Sequence, residues 1–178
     1  MIINSSGNFE ACPMGLHQAV ICDIRDEGLH PNPFKNGDLQ MKVSIWFQIA
    51  QKMSTGKPFL CSKWFTASLH EKASLRIMIE SLLGRGLTHD ESRSFDLEKL
   101  IGWQCQLLIT KNRAGSKSPD GTHIENLLPP TNGQNLAVAD FIRKKDRQPT
   151  LENKNQATAK VEAIKDEQAY TVHDDIPF

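Results

Sequence analysis

The chain has 178 residues, 39% of them hydrophobic, and a formal net charge of zero, which suffices to bury one good core. The neutral total hides an asymmetry: Met1 to Pro149 carries 18 Lys and Arg against 15 Asp and Glu, whereas Thr150 to Phe178 carries 3 against 6. A mildly basic body joined to an acidic end is the pattern of a nucleic-acid binder with an interaction tail. The N-terminal stretch has no basic segment followed by an apolar core, and no run of about eighteen apolar residues occurs, so neither a secretion signal nor a membrane span is expected. Cys12, Cys22, Cys61 and Cys105 form no CxxC pair, and they are expected as reduced thiols of a cytoplasmic protein.

Residues 1–15 lack periodicity and read as a lead-in arm. From Leu16 to Asp26, Val20, Cys22 and Ile24 alternate with Ala19, Ile21, Asp23 and Arg25, which predicts a first strand. Glu27 to Asp38, with two prolines, Asn36 and Gly37, reads as a loop. Met41 to Ala50 then divides by parity: Val43, Ile45, Phe47 and Ile49 form an apolar face, while Lys42, Ser44, Trp46 and Gln48 form the other, as a half-buried strand requires. A large indole at the centre of the polar face, with a cation four residues away, marks a candidate binding platform. The alternative is that Trp46 packs under a loop or helix of the same domain. Phe59 to Thr66 reads as a third strand, hairpinned to the second.

Ser68 to Glu71 fits the S-x-x-E capping box, so a helix is expected from Ser68, with Leu75, Ile79, Leu82 and Leu83 inward and Gly84 and Gly86 ending it. A short helix over Asp96–Ile101 leads into a fourth strand, Trp103–Lys111, with Trp103 sharing the inward parity of Cys105. After the polar loop 112–121, Thr122–Leu128 reads as a fifth strand. Three strands, a helix and two further strands predict a mainly β fold, a five-stranded oligonucleotide-binding (OB) barrel spanning residues 1–130. Such barrels bind along strands two and three and through the loops after strands one and four. Residues 131–178 are expected to form a disordered tail. Within it a short helix around Val138–Lys145 is a further option, and Arg143, Lys144 and Lys145 read as a solvated patch.

The chain ends in Asp174, Asp175, Ile176, Pro177 and Phe178. This ending resembles the acidic tip of bacterial single-stranded DNA-binding proteins, and Ile176 and Phe178 gain nothing in water without a partner. The body is similar to bacteriophage single-stranded DNA-binding proteins in three runs: Ser68–Arg76, Gly84-Arg85 and Phe95–Gly102. The resemblance implies an OB-fold protein that coats single strands and recruits replication, recombination or repair proteins through its tip, inside a bacterial cytoplasm. Two aspartates stand in this tip where the bacterial one usually has three.

The residues support strand binding on their own terms. Trp46, and Trp64 if no bulge reverses its parity, could stack on bases, each stack worth about 1 to 3 kcal/mol without sequence preference. Lys42, Lys57, Lys63, Lys111, Arg113 and Lys117 lie on or beside the same strands and loops and could meet phosphates. His70 reads as a surface helix residue. No catalytic motif, cofactor signature or metal-ligand spacing occurs, so a non-enzymatic protein is expected. The rival reading is a protein-interaction adaptor whose barrel binds another polypeptide. Homo-oligomerisation is left open.

Overall fold

Val43, Ile45, Phe47 and Ile49 are all buried, and they form the inner face of β2, Leu39–Lys52. The computed structural model describes residues 10–115, 121–131 and 135–147. Around β2 it builds one antiparallel five-stranded sheet in the order β3-β2-β1-β4-β5. The other strands are β1, Gly15–Pro31, β3, Pro58–Thr66, β4, Gln104–Lys111, and β5, Thr122–Leu128. The core lies on one face of this sheet, where Ala19, Ile21, Phe65, Cys105, Leu107 and Ile109 meet the helical segment between β3 and β4. Trp103 packs against that core while remaining partly exposed.

The expected barrel is an open sheet here. β3 and β5 are its edges, and among the described residues they are joined by a side chain rather than a ladder: Lys63 Nζ donates to the Glu125 carbonyl at 2.7 Å.

β1 runs five residues beyond the expected Asp26, through the segment read as loop, because its end pairs with β2 as far as Pro31↔Leu39. Strict alternation would have put Asp23 and Arg25 on the core side with Ala19 and Ile21. Register shifts at Cys22 and at Glu27 prevent this. The extra residue at Cys22 reverses the parity of the residues after it, as a β-bulge does, so Ile24 lies opposite Ile45 while Asp23 and Arg25 lie opposite Trp46 and Ser44.

The helix α1 spans Ser74–Leu83, six residues later than the capping box suggested, and its N-cap Ala73 makes no side-chain bond. Ser68 is still tied to the strand end, its N–H donating to the Thr66 carbonyl at 2.8 Å, and its hydroxyl accepts from His70 N at 3.2 Å in a turn. The inward residues are Leu75, Met78, Ile79 and Leu82, and Gly84 at φ 66° ends the helix in the left-handed conformation, which glycine adopts without Cβ strain. A capping box does occur, at Thr88 and Glu91 of the short α2, His89–Arg93. Arg85 grips Glu91 with two bonds of 2.7 and 2.8 Å. A 3-10 turn, Leu97–Leu100, capped by Asp96, leads to β4.

The compact unit extends to Arg143 rather than Pro130. Residues 135–143 form a strap without helix, held by side-chain amides that mimic a strand's ladder. Gln104 exchanges two bonds of 2.9 Å with Leu136, and Gln48 donates to Ala139 O at 2.6 Å while accepting from its N–H at 2.9 Å. Arg143 then reaches Asp23 at 3.2 Å and clasps Glu98 with two bonds of 2.7 Å. Buried amides and carboxylates need such partners, and apolar composition alone did not announce them. The second unit, residues 144–178, is described only over 144–147, where Lys144–Asp146 forms a 3-10 turn. Among the described residues no helix is long and apolar enough to cross a membrane.

The four cysteines are not all free thiols. Cys12 and Cys61 form a disulfide across 49 positions of sequence, joining the N-terminal arm to β3. Cys22 and Cys105 are free and buried. Cys12 and Cys61 are distant in sequence and share no spacing motif, so only the fold brings them together.

Candidate nucleic-acid interface

The outer face of β2 is less open than alternation predicts. Ser44 and Gln48 are buried, Gln48 by the strap and Ser44 by a bond to Glu27. Trp46 remains half-exposed, oriented by its indole N–H, which donates to Ser44 Oγ at 3.0 Å. The guanidinium of Arg25 lies over its ring and is itself held by Asp23 at 2.9 Å. Trp46 therefore occupies a position between the two sequence alternatives: one side is packed by Arg25 of the same domain, and part of the ring meets solvent. A cation on an indole face is attracted by the ring quadrupole.

Trp46 also lines a cleft of about 390 Å³, whose other walls come from β3, β4 and β5, together with Ser62, Asn112, His123, Ile109 and Ile124. Cys12 and Cys61 border it. His123 sits in a polar network, with Nδ1 3.0 Å from Asn112 Oδ1 and Nε2 3.0 Å from Glu125. The bonds from His123 and Thr110 hold the Glu125 carboxyl below the usual carboxylate range.

The candidate cations fall into separate places. Lys111 ends β4 opposite Thr122, which lines the cleft; Arg113 follows two residues later, and both are exposed. Lys57 is exposed in the β2–β3 turn, adjoining the start of β3. Lys42 lies toward the other end of β2, its ammonium donating to Thr66 Oγ1 at 2.9 Å. Trp64, half-exposed on the outer face, meets His30 edge to face with ring centroids 5.2 Å apart. Its outward parity follows from buried Phe59, Cys61 and Phe65, and β3 has no bulge between Leu60 and Thr66.

Lys63 shares the inward parity and sits at the edge of the sheet, where burial lowers its pKa. It is engaged with β5 rather than aligned with Trp64. Thus Trp46, Lys111 and Arg113 gather about the cleft, while Lys42 and Trp64 lie on the paired ends of β2 and β3. Lys117 and the tip Asp174, Asp175, Ile176, Pro177 and Phe178 lie outside the described residues.

Arg25, Ser62, Asn112 and His123 are absent from the sequence-based site. For Arg25 a signal existed: an Asp-x-Arg pair inside a strand of Val, Ile and Cys needs a polar environment. The cleft-lining trio had none, since serine, asparagine and histidine at strand ends are common on any surface.

The three runs that carry the family resemblance build the connection from β3 to β4. Arg76 pairs with Glu80 at 2.9 Å, and Arg85 with Glu91. Compared with protein-family models and with curated proteins, the chain matches none.

Proposed function

We propose that this is a non-catalytic single-stranded DNA-binding protein. On this reading the sheet is an OB fold, a partly open barrel, whose outer β2–β3 face and β4–β5 loop bind the strand. The strand order, with its helical segment between β3 and β4, supports that reading. The observation that carries it is the Trp46 indole, oriented by Ser44 and Arg25 yet open on the cleft side. It supplies a π-face for unpaired bases beside two exposed cations, Lys111 and Arg113. The C-terminal tip would recruit replication, recombination or repair proteins, as its resemblance to the bacterial tip suggests. The setting would be the cytoplasm of a bacterial host, with the chain encoded by a bacteriophage.

The test is binding of the full chain to poly-dT and to duplex DNA at two salt concentrations. The expected result is a preference for the single strand and an affinity that falls steeply with salt, because phosphate contacts release counterions. Equal or tighter binding to duplex would overturn the reading. Salt-insensitive capture of a polypeptide with no binding to DNA would favour an adaptor instead.

A further inference from the structure

We propose that the cleft beside Trp46 takes a single unstacked nucleobase and gives the protein a preference at one position of an otherwise sequence-neutral strand. This rests on the single-strand reading above and sharpens it, because a stacking platform alone is indifferent to base identity.

The lining argues for the ligand class. Ile109 and Ile124 are buried core residues that reach the cleft floor, and the Trp46 ring makes one wall. Arg25 approaches that ring from β1, whereas the cleft is lined from β3, β4 and β5 and by no residue of β1. A ring entering the cleft therefore need not displace the guanidinium. Ser62 is the direct cross-strand neighbour of Trp46, and its small side chain leaves beside the indole the space that a larger residue would fill.

The remaining wall is polar: Asn112 and His123 hold each other at 3.0 Å. Glu125 is already bonded to His123 and Thr110. An acyl chain would make no use of this polar wall, and a sugar would waste the indole and the isoleucines. A flat heteroaromatic ring with donors and acceptors around its edge uses both, and asparagine is well suited to reading such edges. Lys111 and Arg113 flank Asn112 in sequence and are exposed, which suits an anion attached to the ring. A nucleotide has that composition.

The volume agrees. A cleft of about 390 Å³ lies toward the small end of ligand sites, which run from about 300 to 1,000 Å³. It suits one base and not a stacked run of several.

The experiment titrates the full chain with dAMP, dGMP, dCMP and dTMP, following tryptophan fluorescence, and in parallel with homopolymers of dA, dC and dT at one salt concentration. At least one mononucleotide should quench saturably. The homopolymers should differ in affinity by about tenfold between best and worst. Ser62→Leu, which fills the cleft, and His123→Ala, which removes one polar wall, should each bring that ratio to about twofold or less. Thermal melts identify a variant that fails to fold, and the other then decides. Homopolymers bound equally well, with no mononucleotide saturating, would overturn the base pocket while leaving strand binding intact. A preference that survives both variants would overturn it too. Saturable mononucleotide binding with no oligonucleotide bound more tightly would support the pocket and overturn strand coating.

Discussion

The guanidinium carbon of Arg25 lies 3.7 Å from the ring centroid of Trp46. Arg25 in turn holds Asp23, and Asp23 accepts from Arg143, which clasps Glu98. The indole at the centre of the candidate interface is thereby linked to the strap through three charged side chains whose exposure is 18% or less.

Replacing Trp46 with Ala should weaken binding to poly-dT by about 1 to 3 kcal/mol. Because the ring is only half-buried, the same change should cost less folding stability than the about 3 to 5 kcal/mol of a core tryptophan. Trp46→Phe, which keeps a flat ring, should retain most of the affinity. Fluorescence anisotropy of labelled dT oligonucleotides measures the first effect and thermal melting the second. Unchanged affinity in Trp46→Ala would remove the stacking role.

Arg143→Ala should destabilise the fold by about 2 kcal/mol, the scale of hydrogen bonds to charged groups, since Asp23 is 1% exposed and would lose a bonded cation while Arg25 stays in place. Ending the chain at Pro130 should cost more. That truncation also strips Gln48 and Gln104 of their backbone partners at Ala139 and Leu136. Urea midpoints of the full chain, the Arg143→Ala variant and a chain ending at Pro130 check this, and equal midpoints would show the strap to be dispensable.

Acid should loosen the helical connection between β3 and β4 and the β5 edge. The bond from Arg85, with the Thr88 N–H, holds the Glu91 carboxyl down at about 2, against an ordinary value of 4.5. Glu80 is lowered by the Leu87 N–H and by Arg76, and Glu125 by His123 and Thr110. Each carboxylate binds its proton less readily folded than unfolded, so its contribution is present above the unfolded value and lost as pH falls through the folded one. Denaturant midpoints should therefore hold near neutrality and fall between about pH 4.5 and pH 2, and the fall should shrink in Glu91→Gln. A midpoint independent of pH over that window would contradict the ion-pair geometry.

Thiol chemistry should divide the cysteines into two pairs. Burial pushes the Cys22 thiol up to about 12, with Asp23 adding to the effect, and burial alone does the same for Cys105. Neither should react with a thiol reagent near pH 8 while the protein is folded. Oxidised folded protein should then show no reactive thiol, and mild reduction should make Cys12, the less buried partner of the disulfide, the first to react, ahead of buried Cys61. Cys61→Ser should lower stability by up to about 4 kcal/mol, the chain-entropy value for a 49-residue loop. In a reducing cytoplasm this cross-link would stand open as two thiols. Four reactive thiols in the folded, reduced protein would refute the burial of Cys22 and Cys105.

The strands were legible because two-residue periodicity records burial directly: β2, β3, β4 and β5 fall close to the ranges that alternation marks. Where polar contacts decide, sequence was a poor guide. The S-x-x-E pattern at Ser68 had the right residues in the wrong place, because the chain was still turning away from β3. The bulge at Cys22 left no trace except charged residues at apparently inward positions. The strap reads as polar low-periodicity chain, and its fixation depends on Gln48 and Gln104, which are 56 residues apart in sequence. At the site, Trp46 stood out because an exposed indole is costly, whereas Ser62, Asn112 and His123 acquire meaning only through the space between them.

The sheet order bears on how fast the protein forms. β2 and β3 are joined by a short turn and can zip as a local hairpin, and β1 can add to them early. The other side of β1 must wait for β4, since Ala19 pairs with Cys105 and Gly15 with Ile109. Closing contacts across more than eighty residues delays folding, because loop entropy is lost before the pairing is gained. During synthesis Gly15–Gln18, which pair with β4 and not with β2, therefore stay without a strand partner until residues 104–109 leave the ribosome. Over that interval the open edge, Gly15–Val20, is exposed to pairing with a neighbouring copy.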